Sequence, residues 1–192
     1  MAESESTQTG NTLGTGDMAG RDVIKPTYNI GKTSFGGQSQ LEKLYIKLEE
    51  EKKKSQVFTE IIDELLHYRK YAKNTPFIGL EKKLENGNRL KYLEFAEISK
   101  EKFAKKILLN EHSESAQSIY AFLLAKVYTS FQTNIYTRLN EGHPEEFINQ
   151  LISESIIKPL EELLGDNLLR IYDDEIYGMV YFLTDNCHIK WN

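Results

Sequence analysis

Four places in the sequence hold side chains whose types and spacing suggest chemistry. Gly31-Lys32-Thr33 matches the end of a Walker A loop, in which glycine lets backbone amides wrap a phosphate and lysine reaches its outer oxygens. The fit fails at both ends: the motif's first glycine falls on Pro26, and Ser34-Phe35-Gly36-Gly37 stands where a helix should start. Gly14, Gly16 and Gly20 also miss the dinucleotide spacing and follow no strand. Cys187 beside His188 offers a thiol and a base, but neighbours on a strand point to opposite faces, and nucleophilic catalysis needs the two in contact. A small buried thiol next to a hydrogen-bonded histidine accounts for the pair. Asp173-Asp174-Glu175 has the groups for a cation site, an acid/base pair or a small metal-dependent nuclease. Three carboxylates at a helix start are also what the helix dipole favours. His67, His112 and His143 stand apart, without HExxH or a comparable metal spacing.

The fourth place is the one basic and aromatic concentration, Lys91, Lys100, Lys102, Lys105 and Lys106 with Tyr92, Phe95 and Phe103 among them. Such a stripe can grip phosphates and stack bases, so Lys100, Lys102, Lys105 and Lys106 are the candidate nucleic-acid contacts on a helix spanning 89–109. Glu94, Glu97 and Glu101 dilute it, as on an ordinary solvated helix face. No catalytic constellation forms from these parts, and no cofactor or metal is expected.

The element that must position everything else runs from Ser113 to Asn140 without glycine or proline. Its apolar residues Ala116, Ile119, Tyr120, Leu123, Leu124, Val127, Tyr128, Phe131 and Ile135 recur in steps of three and four along one broad face. That face is too wide for a two-stranded seam and suits the centre of a bundle, on a helix about 40 Å long. The spacing predicts further helices around it. Leu41, Leu44, Tyr45 and Leu48 mark one, ending in the solvated block Glu49 to Lys54, and Phe58, Ile61, Ile62, Leu65 and Leu66 mark a second, or the far half of a bent one. Thr75-Pro76 reads as the start of a short helix closed at Asn86-Gly87-Asn88, with glycine in the left-handed conformation. His143-Pro144-Glu145-Glu146 restarts a helix after Gly142, and Pro159 should kink or restart it before Gly165. Asp173 or Asp174 caps a last helix through Leu183.

The fold expected is mainly α, a multi-helix bundle around a long central helix. Residues 1–37 form a leader with seven of the twelve glycines, too poor in apolar groups to offset its ordering entropy. Residues 38–192 form the helical domain. Within the leader Val23 to Ile30 has strand character, demoted to an edge by Pro26, and Cys187 to Trp191 alternates as a strand would. A two-stranded element between them is one way to satisfy both. The chain has 192 residues, 40% of them apolar, and a formal net charge of -5, which gives no general attraction to phosphate backbones. A single cysteine excludes an internal disulfide and fits a reducing compartment. The first residues carry Glu3 and Glu5 and no apolar run, and Ile119 to Val127 is too short to span a membrane. A cytoplasmic protein without membrane contact is expected.

The end of the chain, Gly178-Met179-Val180-Tyr181-Phe182-Leu183-Thr184-Asp185-Asn186-Cys187-His188-Ile189-Lys190-Trp191, resembles the closing signature of a class of C-terminal domains from bacterial ABC-three-component conflict systems. Gly79-Leu80-Glu81-Lys82-Lys83-Leu84 with Asn88-Arg89, Phe103-Ala104-Lys105-Lys106 and the central helix at Tyr120 to Val127 fit the same class, over roughly Phe58 to Trp191. The leader segment Gly16 to Asp22 is similar to those of related families.

The resemblance implies a system for antiviral or anti-plasmid defence, in which an ABC ATPase related to chromosome-maintenance (SMC) proteins works with a middle component and an effector. It implies that this chain couples them as an adaptor without chemistry of its own, and the continuous apolar faces and the unpaired C-terminal strand add the expectation that it binds further copies of itself. Such domains usually follow an effector domain, whereas here only the glycine-rich leader precedes, so the expectation is a stand-alone adaptor or an effector supplied in trans. Tyr181, Phe182, His188 and Trp191 are the expected partner contacts, since aromatic side chains dominate interface centres and serve equally well in a core.

Overall fold

The computed structural model describes residues 39–53, 61–70, 72 and 79–192. The leader with Val23 to Ile30, Gly31-Lys32-Thr33, the Ser55 to Thr59 junction and Thr75-Pro76 lie outside them. Seven helices follow in chain order among the described residues. They are α1 (Gln40–Lys53), α2 (Asp63–Arg69), α3 (Leu80–Asn86) and α4, a 3-10 turn Leu90–Tyr92 running into Leu93–Leu109. Then come α5, made of Glu114–Ser130, a π-helical segment Phe131–Tyr136 and Thr137–Asn140, and α6, made of Glu145–Ile152, a π-helical segment Ser153–Ile157 and Lys158–Leu164. The last is α7 (Asp173–Asp185).

Helix α5 is the expected axis. Ser113 caps it by accepting from the Ala116 amide at 3.1 Å. Ile119, Tyr120, Leu123, Leu124, Val127, Phe131 and Ile135 are wholly buried on it. Polar groups drawn in along α5 find partners, as burial favours. Tyr120 donates to the Lys106 carbonyl at 3.2 Å and accepts from Asn110 at 3.0 Å. Buried Gln117 accepts from the Ile62 amide at 2.7 Å and donates to the Glu111 carbonyl at 2.6 Å, tying α2 to the start of α5. Glu51, at the end of α1, accepts from the hydroxyls of Ser113 and Ser115 at 2.6 and 2.5 Å, a carboxylate set on a helix N-terminus.

The two π segments explain how α5 and α6 cross. Pro159 has no N–H to offer the Ser155 carbonyl one turn back. Ser130, at the head of the α5 π segment, donates to that carbonyl instead at 2.6 Å. Helix α6 therefore runs through Pro159 without restarting, its widened turn making room for the ring.

Three local expectations are corrected. The residue in the left-handed conformation after α3 is Asn88, at φ 55°, and not Gly87, at φ -88°. Arg89 N–H bonds the Leu84 carbonyl at 2.7 Å and Asn88 N–H the Glu85 carbonyl at 2.9 Å, a Schellman closure with asparagine at its hinge. Residue Tyr172, not an aspartate, occupies the N-cap of α7, where its amide is bonded by Glu175 at 3.0 Å. Finally, Cys187 to Trp191 forms no strand. Cys187 takes φ 65°, and the His188 and Cys187 amides bond the Leu183 and Thr184 carbonyls at 2.8 and 3.0 Å. This second Schellman closure turns the tail back along the bundle, and its alternation reflects Cys187, Ile189 and Trp191 pointing into the core.

Candidate functional site

The signature-like segment Gly178–Trp191 occupies the last helix and the tail that folds back from it. Helix α7 lies against α4 at a distance only glycine allows, because a Cβ on Gly178 would overlap the Ser99 carbonyl oxygen and sit 2.9 Å from the Phe103 Cβ. Beyond α7 the tail crosses α3, where Gly87 makes room for Trp191. The indole donates to Thr184 Oγ1 at 3.1 Å and meets Phe131 edge-on with centroids 5.1 Å apart. Tyr181 stacks beside it at 6.5 Å.

Arg89, 4% exposed, lies over the Trp191 and Tyr92 rings at 4.7 and 4.9 Å. It donates to Asn149 of α6, which in turn donates to the Tyr92 hydroxyl at 2.8 Å. Burial lowers the Arg89 pKa from its ordinary value, opposed by the nearby Tyr181 and Tyr92 hydroxyls and the Glu145 carboxylate.

Lys83 fastens the same end from α3. Its ammonium donates to the Thr184 and Asp185 carbonyls, both at 2.6 Å, and to Cys187 Sγ at 3.1 Å. It is a cation at a helix C-terminus with all three of its donors used. Asn186 ties in the segment after α2 by donating to the Tyr68 carbonyl and accepting from the Ala72 amide, both at 3.0 Å. His188 Nε2 lies 3.1 Å from the Lys70 carbonyl, with its ring centroid 5.4 Å from that of His67 and 5.6 Å from that of Tyr68. Desolvation lowers the His188 pKa, partly countered by the Lys70 carbonyl.

The expected partner contacts therefore divide. Tyr181 and Trp191, 4% and 3% exposed, are spent inside this chain as core residues. Phe182 is half-buried against Phe103, and His188 is half-buried at the rim of the tail. Cys187 and His188 do not form a reacting pair, since the thiol is held by Lys83 and the imidazole by a carbonyl of another segment.

The lysines of α4 are drawn towards the carboxylates of α7. Lys100 pairs with Asp185 at 2.9 Å, Lys102 with Asp174 at 2.5 Å and Lys105 with Glu101 of its own helix at 2.7 Å. Lys106 donates to the Leu169 and Arg170 carbonyls at 3.1 and 2.6 Å and lies 3.6 Å from Glu175. Asp174 and Glu175 are thereby committed to lysines and a helix cap. No group of three or more His, Cys, Asp and Glu is arranged to hold a metal among the described residues.

Two surface grooves are lined by described residues. One, of about 790 Å³, lies between α1, α2 and α5 and is lined by Leu44, Ile62, His67, Ala121, Phe122 and Ala125 together with polar neighbours. The other, of about 600 Å³, lies between α1 and the end of α6 with the loop that follows it. Sequence reasoning missed both, as it missed Lys83, Arg89 and Glu51. A groove is made by residues from distant elements, whereas Lys83 and Glu51 read locally as members of charged surface blocks.

Among the described residues no helix is long and apolar enough to cross a membrane. No curated protein and no solved structure matches the chain. A family match starts at Gly79, later than the Phe58 expected, and takes in α3, the Schellman turn, α4 to α7 and the tail to Trp191, so the Lys83 and Arg89 contacts lie within it, whereas Tyr68, Lys70 and Ala72, which Asn186 and His188 bond, precede it. Residues 79–191, more than half of the chain, match the model for C-terminal domain 9 of the ABC-three component (ABC-3C) systems, and the chain belongs to that family.

Proposed function

We propose that this chain is a non-catalytic adaptor of an ABC-three-component system, acting in the cytoplasm in defence against phage or plasmids. It joins an SMC-like ABC ATPase to a middle component or effector and associates with copies of itself. Family membership over 79–191 supports the system, and one observation carries the adaptor role: the reactive side chains of the signature-like segment are consumed internally. Lys83 and Cys187 are bonded to each other and to backbone, Asp185 to Lys100, and Trp191 to Thr184. Among the surface left for other molecules are apolar side chains, including Phe95 and Ile98 on α4, which are 41% and 50% exposed.

Co-expression with the other components of its system tests this reading. The expected result is co-purification of at least one of them and a sedimentation profile heavier than a monomer. A strictly monomeric profile with no component retained, or turnover of a substrate by the purified chain alone, overturns it.

A further inference from the structure

The groove between α1 and the end of α6 has an unusual combination of charge and exposure. Its α1 wall is Glu42, Tyr45, Ile46 and Glu49, positions i, i+3, i+4 and i+7 of one helix face. The opposite wall carries Glu162, Leu163, Asp166 and Leu168. Ile46, Leu163 and Leu168 are each 43% exposed, although they face a concave surface. Every charged residue lining the groove is acidic. Glu42 is used locally, accepting from the Ser39 amide at 2.6 Å. Glu49, Glu162 and Asp166 have no ion pair or hydrogen bond among the described residues. The basic side chain that reaches this end, Lys52, lies outside the lining and donates to the Leu168 carbonyl at 3.4 Å.

The Tyr45 hydroxyl is buried in the wall with no hydrogen-bond partner among the described residues. Burial pushes its pKa up to about 12, so it stays neutral and can both donate and accept.

We infer that this groove is the seat of a lysine- or arginine-rich amphipathic helix belonging to a protein partner. The inference rests on the adaptor reading and names the chemistry of one partner segment. From Ser39 to Glu49 the wall runs about 15 Å at 1.5 Å per residue, which fits about three turns of a docked helix. Its apolar stripe would cover Ile46, Leu163 and Leu168, in the mode by which amphipathic helices fill grooves. Its flanking cations would meet Glu49 on one wall and Glu162 and Asp166 on the other. Because these carboxylates stand at the rim, the pairing sets partner choice and encounter rate and is sensitive to salt.

The test uses the full chain and three labelled peptides that share one leucine stripe over three turns, with lysine, glutamine or glutamate elsewhere. Fluorescence anisotropy at low salt should show the lysine peptide binding at least tenfold tighter than the glutamate peptide. Reversing the groove (E49K, E162K and D166K together) should invert that order, while reversing three exposed acids elsewhere (E81K, E94K and E97K together) should leave it unchanged. Leu163→Asp should weaken all three peptides, and Ile46→Asp should repeat the result should the first variant melt early.

Equal loss of lysine-peptide binding in both charge-reversed proteins would mean attraction to net charge alone and would overturn the proposal. So would concentration-dependent dimerisation abolished by Leu163→Asp, since a second copy would then own the groove. Co-purification with the other components separates the two levels. Retention by the groove variant as well as by the wild type removes the groove but leaves the adaptor role, whereas retention by neither removes both.

Discussion

A Cβ placed on Gly87 would overlap the Cβ of Trp191 and approach its carbonyl oxygen to 2.9 Å, so the turn after α3 and the end of the chain touch across a missing methyl group. Gly87 has φ -88°, which alanine adopts freely. Its side-chain-free character therefore serves contact and not conformation. Gly87→Ala should cost about 1–3 kcal/mol, the range for overpacking. Trp191→Ala should cost about 3–5 kcal/mol as a large-to-small change. Alanine at 191 keeps the Cβ that the new methyl meets, so the coupling is read with Trp191→Gly, in whose background the Gly87→Ala penalty should shrink, the backbone oxygen of residue 191 remaining in the way. Additive losses in urea melts would show that the two positions are independent.

Gly178→Ala should separate α4 from α7, because the atom in the way is the Ser99 backbone oxygen, which cannot rotate aside. A loss at or above the upper end of about 1–3 kcal/mol is expected. Gly79→Ala provides the control, since nothing lies within 4 Å of its Cβ. That change, at the N-cap of α3, should cost less than about 1 kcal/mol.

Ser130→Ala should leave the Ser155 carbonyl without its donor, at about 1–3 kcal/mol for a buried unsatisfied group. Pro159→Ala supplies a backbone N–H one turn away. Adding it to Ser130→Ala should recover at least half the loss, and a recovery near zero would mean that the Ser130 bond contributes little.

Stability should fall as pH drops from 7.5 towards 5.5, in part through His188. Desolvation holds its folded pKa below the unfolded value, with a smaller push in the same direction from His67 and Lys83. Between the two values the unfolded chain binds more protons, so stability is present above the unfolded pKa and is lost as pH descends towards the folded one. Tyr68 and Tyr128 face the same ring. His188→Asn should flatten the slope of urea midpoint against pH, and an unchanged slope would assign it to other groups.

DNA or RNA should bind poorly, even at low salt, because Lys100, Lys102 and Lys105 are already paired with carboxylates. A gel shift that disappears when Lys102, Lys105 and Lys106 are all changed to glutamine would restore the nucleic-acid reading of α4. Lys106→Gln alone should lower stability, since that ammonium holds the Leu169 and Arg170 carbonyls.

The bundle and its axis were legible because buried faces repeat with the helical period, and Ile119 to Ile135 follow it closely. Even the π segment left a trace. Val127, Phe131, Ile135 and Leu139 recur in steps of four, and each such step overshoots an α-helical turn by about 40°. A local wide turn brings them back to one face. The tail was misread because alternating burial is common to a strand and to an extended segment pressed on a core, and only hydrogen bonds separate the two. Lys83 and Arg89 could not be read from sequence, since their partners lie about a hundred and sixty residues away respectively.

The partners of Lys83 are carbonyls and a thiol, with no carboxylate among them. Acid strong enough to protonate aspartates would dissolve the Lys100 and Lys102 bridges yet leave this fastening in place, and concentrated salt would screen it little at such short range. Below the range in which His188 takes up its proton, acid that removes the carboxylate pairs should therefore still leave the carboxyl end fastened to α3 through Lys83.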